Sequence, residues 1–205
     1  MISIVPGGRL LDLCIQRFAL RRWFDKEAVT AADGTDETHL AFSTLGRAVG
    51  LDPRLIRVAI KWTNAFGAWS FGEHRFVVGR SLTKAPRDVL WGVIAHEIAH
   101  DHLGHVGTLS KLEIGRAVFD LVTGPPSLLS VQLKLLQRKY PRSQEYEADD
   151  YAVKVLRLAD SPRWLLRYAL EFIWERYGDT GGGWFSTHPL TADRIARQPE
   201  IIRSV

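Results

Sequence analysis

Two histidines and a glutamate in one short stretch are the residues of this sequence best suited to chemistry. His96, Glu97 and His100 form the pattern H-E-x-x-H. In an α-helix, side chains four residues apart lie about 40° apart in rotation and about 6 Å apart along the axis, so both imidazoles can reach one cation. Zinc accepts imidazole nitrogen readily. Glu97 is rotated by about 100° from His96, which places its carboxylate beside a water on the metal, in the position of a general base.

The neighbouring residues predict the helix that this geometry requires, over residues 89–105. Pro86 suits a first helical turn, and Asp88 complements the positive end of the helix dipole. Gly104 offers a place for the helix to end. Apolar side chains recur at helical spacing at Leu90, Val93, Ile94 and Ile98.

A catalytic zinc site needs a third protein ligand and an open position for water. The three-histidine pattern would put its last histidine at position 106, which is Val106, so His105 is one residue off. His102 points away from the metal face and His105 lies near the helix end, so we expect both at the surface.

A glutamate from a later helix is the other common third ligand, and Glu113, Glu145 and Glu147 are the candidates. Glu113 follows the metal helix too closely to return easily. In the helix predicted over residues 143–158, Glu145 and Asp149 share a face, so one can bind metal while the other orients a ligand. Glu147 points elsewhere on that helix.

Length and composition predict one domain with its own core, since the chain has 205 residues and is 46% hydrophobic. The single Cys14 excludes an intrachain disulfide, so the cytoplasm is the expected compartment. The net charge of +4 comes from scattered arginines without a basic run, so we expect no nucleic-acid partner. No stretch is long and apolar enough for a transmembrane segment.

The N-terminal residues 1–24 are apolar and basic and predict an amphipathic helix from position 9. Three interpretations stay open for this helix: docking on the domain, peripheral membrane contact, or a targeting segment. Residues 25–38 are polar and are interpreted as a linker or exposed loop.

Strands are predicted over residues 55–62, 64–71 and 75–78, with a turn at residues 71–74. Helices are predicted over residues 39–49, 110–122, 127–139, 143–158, 162–177 and 191–198. The fold class is therefore α+β and mostly helical, with a small sheet ahead of the H-E-x-x-H helix.

Four segments of the chain resemble the M48 metallopeptidases, the family that contains the membrane protease HtpX and the CAAX-prenyl endopeptidases. They occur along the chain in the same order as in that family. In chain order they are Asn64-Ala65-Phe66, the metal helix at residues 94–100, the E-x-x-x-D segment at 143–149, and the C-terminal signature of Ser186-Thr187-His188-Pro189 with Arg194-Ile195. The resemblance implies a soluble zincin-type catalytic domain over residues 39–205, preceded by the amphipathic helix and linker of residues 1–38. The chain departs from these relatives in lacking their membrane helices, so membrane-protein or prenylated substrates are not implied.

Carried over by position, the resemblance implies a zinc endopeptidase with one Zn²⁺ per chain and protein or peptide substrates. His96, His100 and Glu145 would bind the metal, Glu97 would activate water, and Asp149 would brace a histidine ligand. His188 would either donate to the oxyanion of the tetrahedral intermediate or cap buried backbone groups. The strand of Asn64, Ala65 and Phe66, or the one that begins at Arg75, would hold an extended substrate by strand addition.

Two other functions stay open at this point. The ImmA/IrrE-like regulatory peptidases also combine H-E-x-x-H with a later acidic helix, although His188-Pro189 and the Asn64 strand favour the M48 family. A non-catalytic binding or chaperone module with structural zinc would instead fill all four metal positions with protein ligands, with His102, His105 or His188 as the fourth.

Overall fold

The computed structural model describes residues 22, 24–61, 66–105, 140–178, 184, 188 and 192–200. Apart from residues 22 and 24, the predicted N-terminal helix lies outside these residues. The helices predicted over residues 110–122 and 127–139 lie outside them as well.

The described residues form an α+β fold, which confirms the predicted class. Its elements in chain order are β1 (Val29–Thr30), α1 (Glu37–Ala48), β2 (Arg57–Lys61), β3 (Ala68–Ser70), β4 (Arg75–Gly79), a 3₁₀ turn (Leu82–Lys84), α2 (Arg87–His102), α3 (Arg142–Leu158), α4 (Leu165–Tyr177) and α5 (Ala192–Arg197). None of the helices in this part of the chain is both long and apolar enough to cross a membrane.

The sheet has the strand order β1-β2-β4-β3 in the described part of the chain. β2 and β4 are parallel, with Val58 opposite Phe76, and the two outer strands are antiparallel to their neighbours. β2, β3 and β4 confirm the three predicted strands, whereas β1 falls in residues 25–38, where no strand was predicted. Two residues between turns carry too little periodicity to be recognised as a strand.

Helix α2 runs through the interior, and residues 89–100 are all buried. It contacts α1, α3, α4 and β3, so apolar side chains are needed on every face. Gly92 permits the close approach of α4, because a Cβ atom there would lie 2.4 Å from the carbonyl oxygen of Leu165. The H-E-x-x-H motif is therefore carried by a helix that is enclosed along most of its length.

The turn between β3 and β4 is attached to the end of α2 by Asp101. The backbone is left-handed at three successive residues, Gly72, Glu73 and His74, with φ of 76°, 53° and 60°. Such angles cost about 1 to 2 kcal/mol for each residue that is not glycine. Asp101, whose side chain is 1% exposed, accepts hydrogen bonds from the Ser70 hydroxyl and the His74 amide, both at 3.2 Å, and lies 2.6 Å from His74 Nδ1.

We predict that Asp101→Asn destabilises the protein most at low pH. The hydrogen bond with Asp101 outweighs burial and raises the pKa of His74, so the pair contributes stability below the unfolded-state pKa of about 6.5 and loses it as pH rises through the raised folded-state pKa. Because the His74 side chain is 34% exposed, solvent screening limits the loss in free energy of unfolding to about 1 kcal/mol at pH 5.5. Urea unfolding of the metal-free original and variant proteins at pH 5.5 and pH 9 measures this loss.

His74→Gln is the matched control for this comparison, because it removes the titrating ring and leaves Asp101 in place. In that background, the loss of unfolding free energy caused by Asp101→Asn should no longer depend on pH. An equal loss at pH 5.5 and pH 9 in the presence of His74 would contradict the role assigned to the pair.

Candidate metal centre

His96, Glu97 and His100 are completely buried on α2. The Nε2 atoms of the two histidines lie 2.9 Å apart, as the helical spacing predicts. Glu97 turns toward β3 and the C-terminal region. Its Oε2 accepts a hydrogen bond from the Ser70 amide at 2.9 Å, and its Oε1 accepts one from Trp184 Nε1 at 2.8 Å.

Helix α3 brings Glu145 to the two histidines. Its Oε1 lies 3.4 Å from His100 Nε2, and its Oε2 lies 3.5 Å from His96 Nε2. Glu145 is completely buried, whereas the side chain of Glu147 is 64% exposed and faces away from this point. Glu113 lies outside the described residues. Of the glutamates considered from the sequence, Glu145 is the one that the structure brings to the histidine pair.

His188 completes a buried cluster of four donor groups. Its Nδ1 lies 3.1 Å from Glu145 Oε1 and 3.4 Å from His96 Nε2. One ligand atom from each of His96, His100, Glu145 and His188 lies within 4.8 Å of every other. His188 Nε2 also approaches Glu97 Oε1 at 3.3 Å. This position is compatible with the oxyanion role, which stays a prediction, whereas among the described residues both ring nitrogens contact side chains and not the backbone groups that the capping role requires.

The cluster has the chemistry and spacing of a site for a small divalent cation. His96 Nδ1 lies 2.9 Å from Asp149 Oδ1, so that nitrogen carries the proton and Nε2 offers a lone pair toward His100. Two lone pairs at 2.9 Å repel unless a metal cation or a shared proton lies between them. Donors around tetrahedral zinc lie about 3.3 to 3.6 Å apart, close to the separations of 2.9 to 3.5 Å found here.

The charges in the cluster shift the pKa values of its members in opposite directions. Burial lowers the pKa of His96, but hydrogen bonds with Asp149 and Glu145 outweigh it and raise that pKa to about 9. Burial and the charge of His96 hold the pKa of His100 well below its ordinary value. Although burial opposes it, His188 and Arg194 hold the pKa of Glu145 well below its usual range. Without metal, the positive charge of protonated His96 therefore offsets part of the negative charge of Glu145 and Asp149.

Glu97 differs from Glu145 in that burial raises its pKa, despite the nearby His188 and His96. A carboxylate whose pKa is raised from the ordinary value is a better proton acceptor near neutral pH. The Ser70 and Trp184 hydrogen bonds fix both oxygens, and each oxygen keeps a second lone pair. Glu97 therefore has the protonation chemistry of a general base and a fixed orientation beside the cluster.

Arg194 connects the two buried acidic residues of α3. Its Nε and Nη2 donate to the two oxygens of Asp149, both at 2.8 Å, and its Nη1 lies 2.6 Å from Glu145 Oε2. The residue is 1% exposed, although arginine is almost never fully buried without partners. This bidentate pair fixes Asp149, which in turn holds His96. From the sequence, Arg194 had no role beyond its place in the C-terminal signature.

His105 corrects an expectation from the sequence, because it is 7% exposed and does not lie at the surface. Gly104 has φ of 68°, which turns the chain back so that the His105 amide donates to the His100 carbonyl. The ring then lies against His100, with 2.9 Å between the two Nδ1 atoms. His102, by contrast, is exposed as expected.

Ser70 and Trp184 are site residues that the sequence did not reveal. Ser70 contacts Glu97 through its backbone amide, which any residue type would supply. Trp184 is completely buried. The signal available for it was its position four residues before His188, whose amide donates to the Trp184 carbonyl at 2.9 Å.

The proposed substrate strand is described only in part, because Asn64 and Ala65 lie outside the described residues. The side chain of Phe66 packs against the rings of Phe172 and Tyr177, and its carbonyl accepts a hydrogen bond from the Trp184 amide. Its substrate role therefore stays a prediction. The other strand considered, β4, has partners on both sides, so it has no free edge for an extended peptide.

Comparison with known proteins assigns the chain to a family. The profile described as "Peptidase family M48" matches residues 48–201, about three quarters of the chain. A search of curated proteins finds no match. The matched segment includes all four donors of the cluster as well as Glu97, Asp149 and Arg194. The chain therefore belongs to peptidase family M48, and it is a metallopeptidase.

Proposed function

We propose that the protein is a zinc-dependent endopeptidase that cleaves protein or peptide substrates, with one Zn²⁺ per chain. The observation that carries this proposal is the buried cluster of His96, His100 and Glu145 with the fixed carboxylate of Glu97 beside it. Those three residues would hold the metal. Zinc, when bound, acts as a Lewis acid on the scissile carbonyl and lowers the pKa of water.

Glu97 would act as the general base, taking a proton from the attacking water and passing it to the leaving amine. Its raised pKa and its contacts with Ser70 and Trp184 support this role, because they keep a basic carboxylate in one orientation. Asp149 would hold His96 in the tautomer whose Nε2 lone pair faces the cluster.

His188 would donate to the oxyanion of the tetrahedral intermediate. Its position between Glu145 and Glu97 supports this, since both carboxylates lie within 3.3 Å of its ring nitrogens. The same position also favours a second candidate function. If His188 were a fourth permanent ligand, the site would be closed to water and the zinc would be structural.

The substrate would lie along the outer edge of the strand predicted over residues 64–71, which includes Asn64, Ala65 and Phe66 and of which the structure describes β3. β3 is at one end of the strand order, and the amide of its last residue, Ser70, contacts Glu97. A peptide added to that edge would pass beside the general base and would be recognised mainly through its backbone.

The peptidase class, the compartment and the partners other than the substrate are also proposed. Membership in family M48 favours this mechanism over an ImmA/IrrE-like peptidase. We expect a cytoplasmic protein without a nucleic-acid partner, and the membrane contact of the N-terminal helix stays a prediction.

Glu97→Gln should abolish proteolysis while the protein still binds about one zinc ion per chain. The substitution removes the basic carboxylate and leaves the proposed ligands unchanged, so we expect kcat to fall about 10²- to 10⁴-fold. Casein hydrolysis and metal content, measured side by side, test this. Glu175→Gln, at an exposed position of α4, is the matched control and should keep full activity. Undiminished proteolysis by Glu97→Gln would exclude Glu97 as the base.

His188→Ala distinguishes the catalytic site from a closed structural site. If His188 acts on the oxyanion, the variant should keep zinc near one per chain and lose about 10²- to 10³-fold in kcat with little change in KM. His96→Ala is the reference for loss of a ligand. Metal loss from His188→Ala as complete as from His96→Ala would instead support the structural site.

Zinc affinity should rise steeply with pH. In the metal-free protein His96 keeps its second proton up to a pKa of about 9, and zinc must displace it. The dissociation constant should therefore fall about tenfold for each pH unit between pH 6 and 8 and level off above about pH 9. Competition with a chelator of known pH dependence measures this.

Asp149→Asn provides the comparison for the pH series. It removes a carboxylate that raises the pKa of His96, so the affinity should level off at a lower pH than in the unaltered protein. A dissociation constant that does not change between pH 6 and 8 would show that no such proton is displaced.

A further inference from the structure

The ring of His105 lies between a proposed metal ligand and a carboxylate of α3. Its Nδ1 is 2.9 Å from His100 Nδ1, and its Nε2 is 3.2 Å from Glu147 Oε2. These contacts are on the side of His100 opposite the cluster, because His100 Nε2 faces His96 and Glu145. Neither His105 nor Glu147 is needed for the mechanism proposed above.

The positions of the protons follow from these distances. Two ring nitrogens at 2.9 Å can share one proton, because two protons would repel and none would leave two lone pairs in contact. His100 Nε2 must offer a lone pair to bind metal, so its Nδ1 carries the proton and donates to His105 Nδ1. The remaining proton of neutral His105 is then on Nε2, where it points to the Glu147 carboxylate.

The two histidines of α2 are supported in different ways by the same helix. His96 Nδ1 lies 2.9 Å from Asp149 Oδ1, and Asp149 is buried and held by Arg194. On this side, His100 is connected to α3 through His105. The carboxylate that His105 contacts there, that of Glu147, is 64% exposed. His105 is therefore the acceptor that the described residues offer to His100 Nδ1.

We propose that His105 is a positioning residue that fixes the tautomer and orientation of His100, with Glu147 supporting it from the surface. The proposal rests on the metal-binding part of the proposed function and not on proteolysis. Outer hydrogen bonds of this kind typically contribute about 10- to 100-fold to metal affinity. The competing explanation is that His105 only ends α2, through a backbone amide bond to His100 that any residue could make.

His105→Phe and His105→Asn separate these explanations. Phenylalanine keeps the ring volume and the backbone bond but leaves His100 Nδ1 without an acceptor, so zinc affinity should fall about 10- to 100-fold. The Oδ1 atom of asparagine can occupy the place of His105 Nδ1, so affinity should return to within a few fold of the unaltered protein. His102→Phe, on the exposed side of the same turn, is the control and should leave affinity unchanged.

The measurements are the zinc dissociation constant by chelator competition at one pH, the absorption spectrum of the Co²⁺-loaded protein, and the melting temperature of the metal-free protein. The proposal predicts a weaker and spectrally altered site in His105→Phe, rescue by His105→Asn, and similar melting temperatures for both. Equal affinities in the two variants, whether both lowered or both unchanged, would overturn it.

Glu147 provides the test if His105→Phe does not fold, because its exposed position tolerates substitution. Glu147→Leu should weaken zinc binding by a few fold, and Glu147→Gln, which keeps an acceptor, should weaken it less; an unchanged constant in Glu147→Leu would overturn the proposal. These readouts do not depend on activity. A protein that binds zinc with this pattern but cleaves nothing would contradict the peptidase and leave the role of His105 supported.

Discussion

Burial of α2 is the constraint on which the rest of the site depends. A helix that carries two imidazoles and a carboxylate through an apolar interior must find a partner for each polar atom, because an unpaired buried group costs about 1 to 3 kcal/mol. In the described structure these partners come from other elements of the fold. Helix α3 supplies them for the histidines, while β3 and Trp184 supply them for Glu97.

The same constraint links distant parts of the chain around Glu97. Trp184 donates to Glu97 through its indole and to the Phe66 carbonyl through its amide, so the C-terminal region, the segment before β3 and α2 meet at one point. Gly67, with φ of 155°, makes this contact possible, because a Cβ atom there would lie 2.8 Å from Trp184 Cβ. The edge strand and the expected general base are thus positioned by one shared set of hydrogen bonds.

The features that could be predicted from the sequence are those set by helical periodicity. The convergence of His96 and His100 follows from a spacing of four residues, and so does the shared face of Glu145 and Asp149. Contacts made across the fold could not be predicted in this way. Ser70 acts through a backbone amide that has no sequence signature, and His105 is brought inward by the left-handed conformation of Gly104.

The buried negative charge of this site favours the binding of a divalent cation. Among the described residues the cluster is lined by three buried carboxylates, of Glu97, Glu145 and Asp149, and by one guanidinium, that of Arg194. In their ionised forms they leave two negative charges uncompensated in a low-dielectric interior, where unpaired charge is expensive. Without metal, a proton taken up by His96 offsets part of that charge, which is the cause of its raised pKa. A divalent ion would offset both charges, so its binding would be coupled to release of the extra proton of His96.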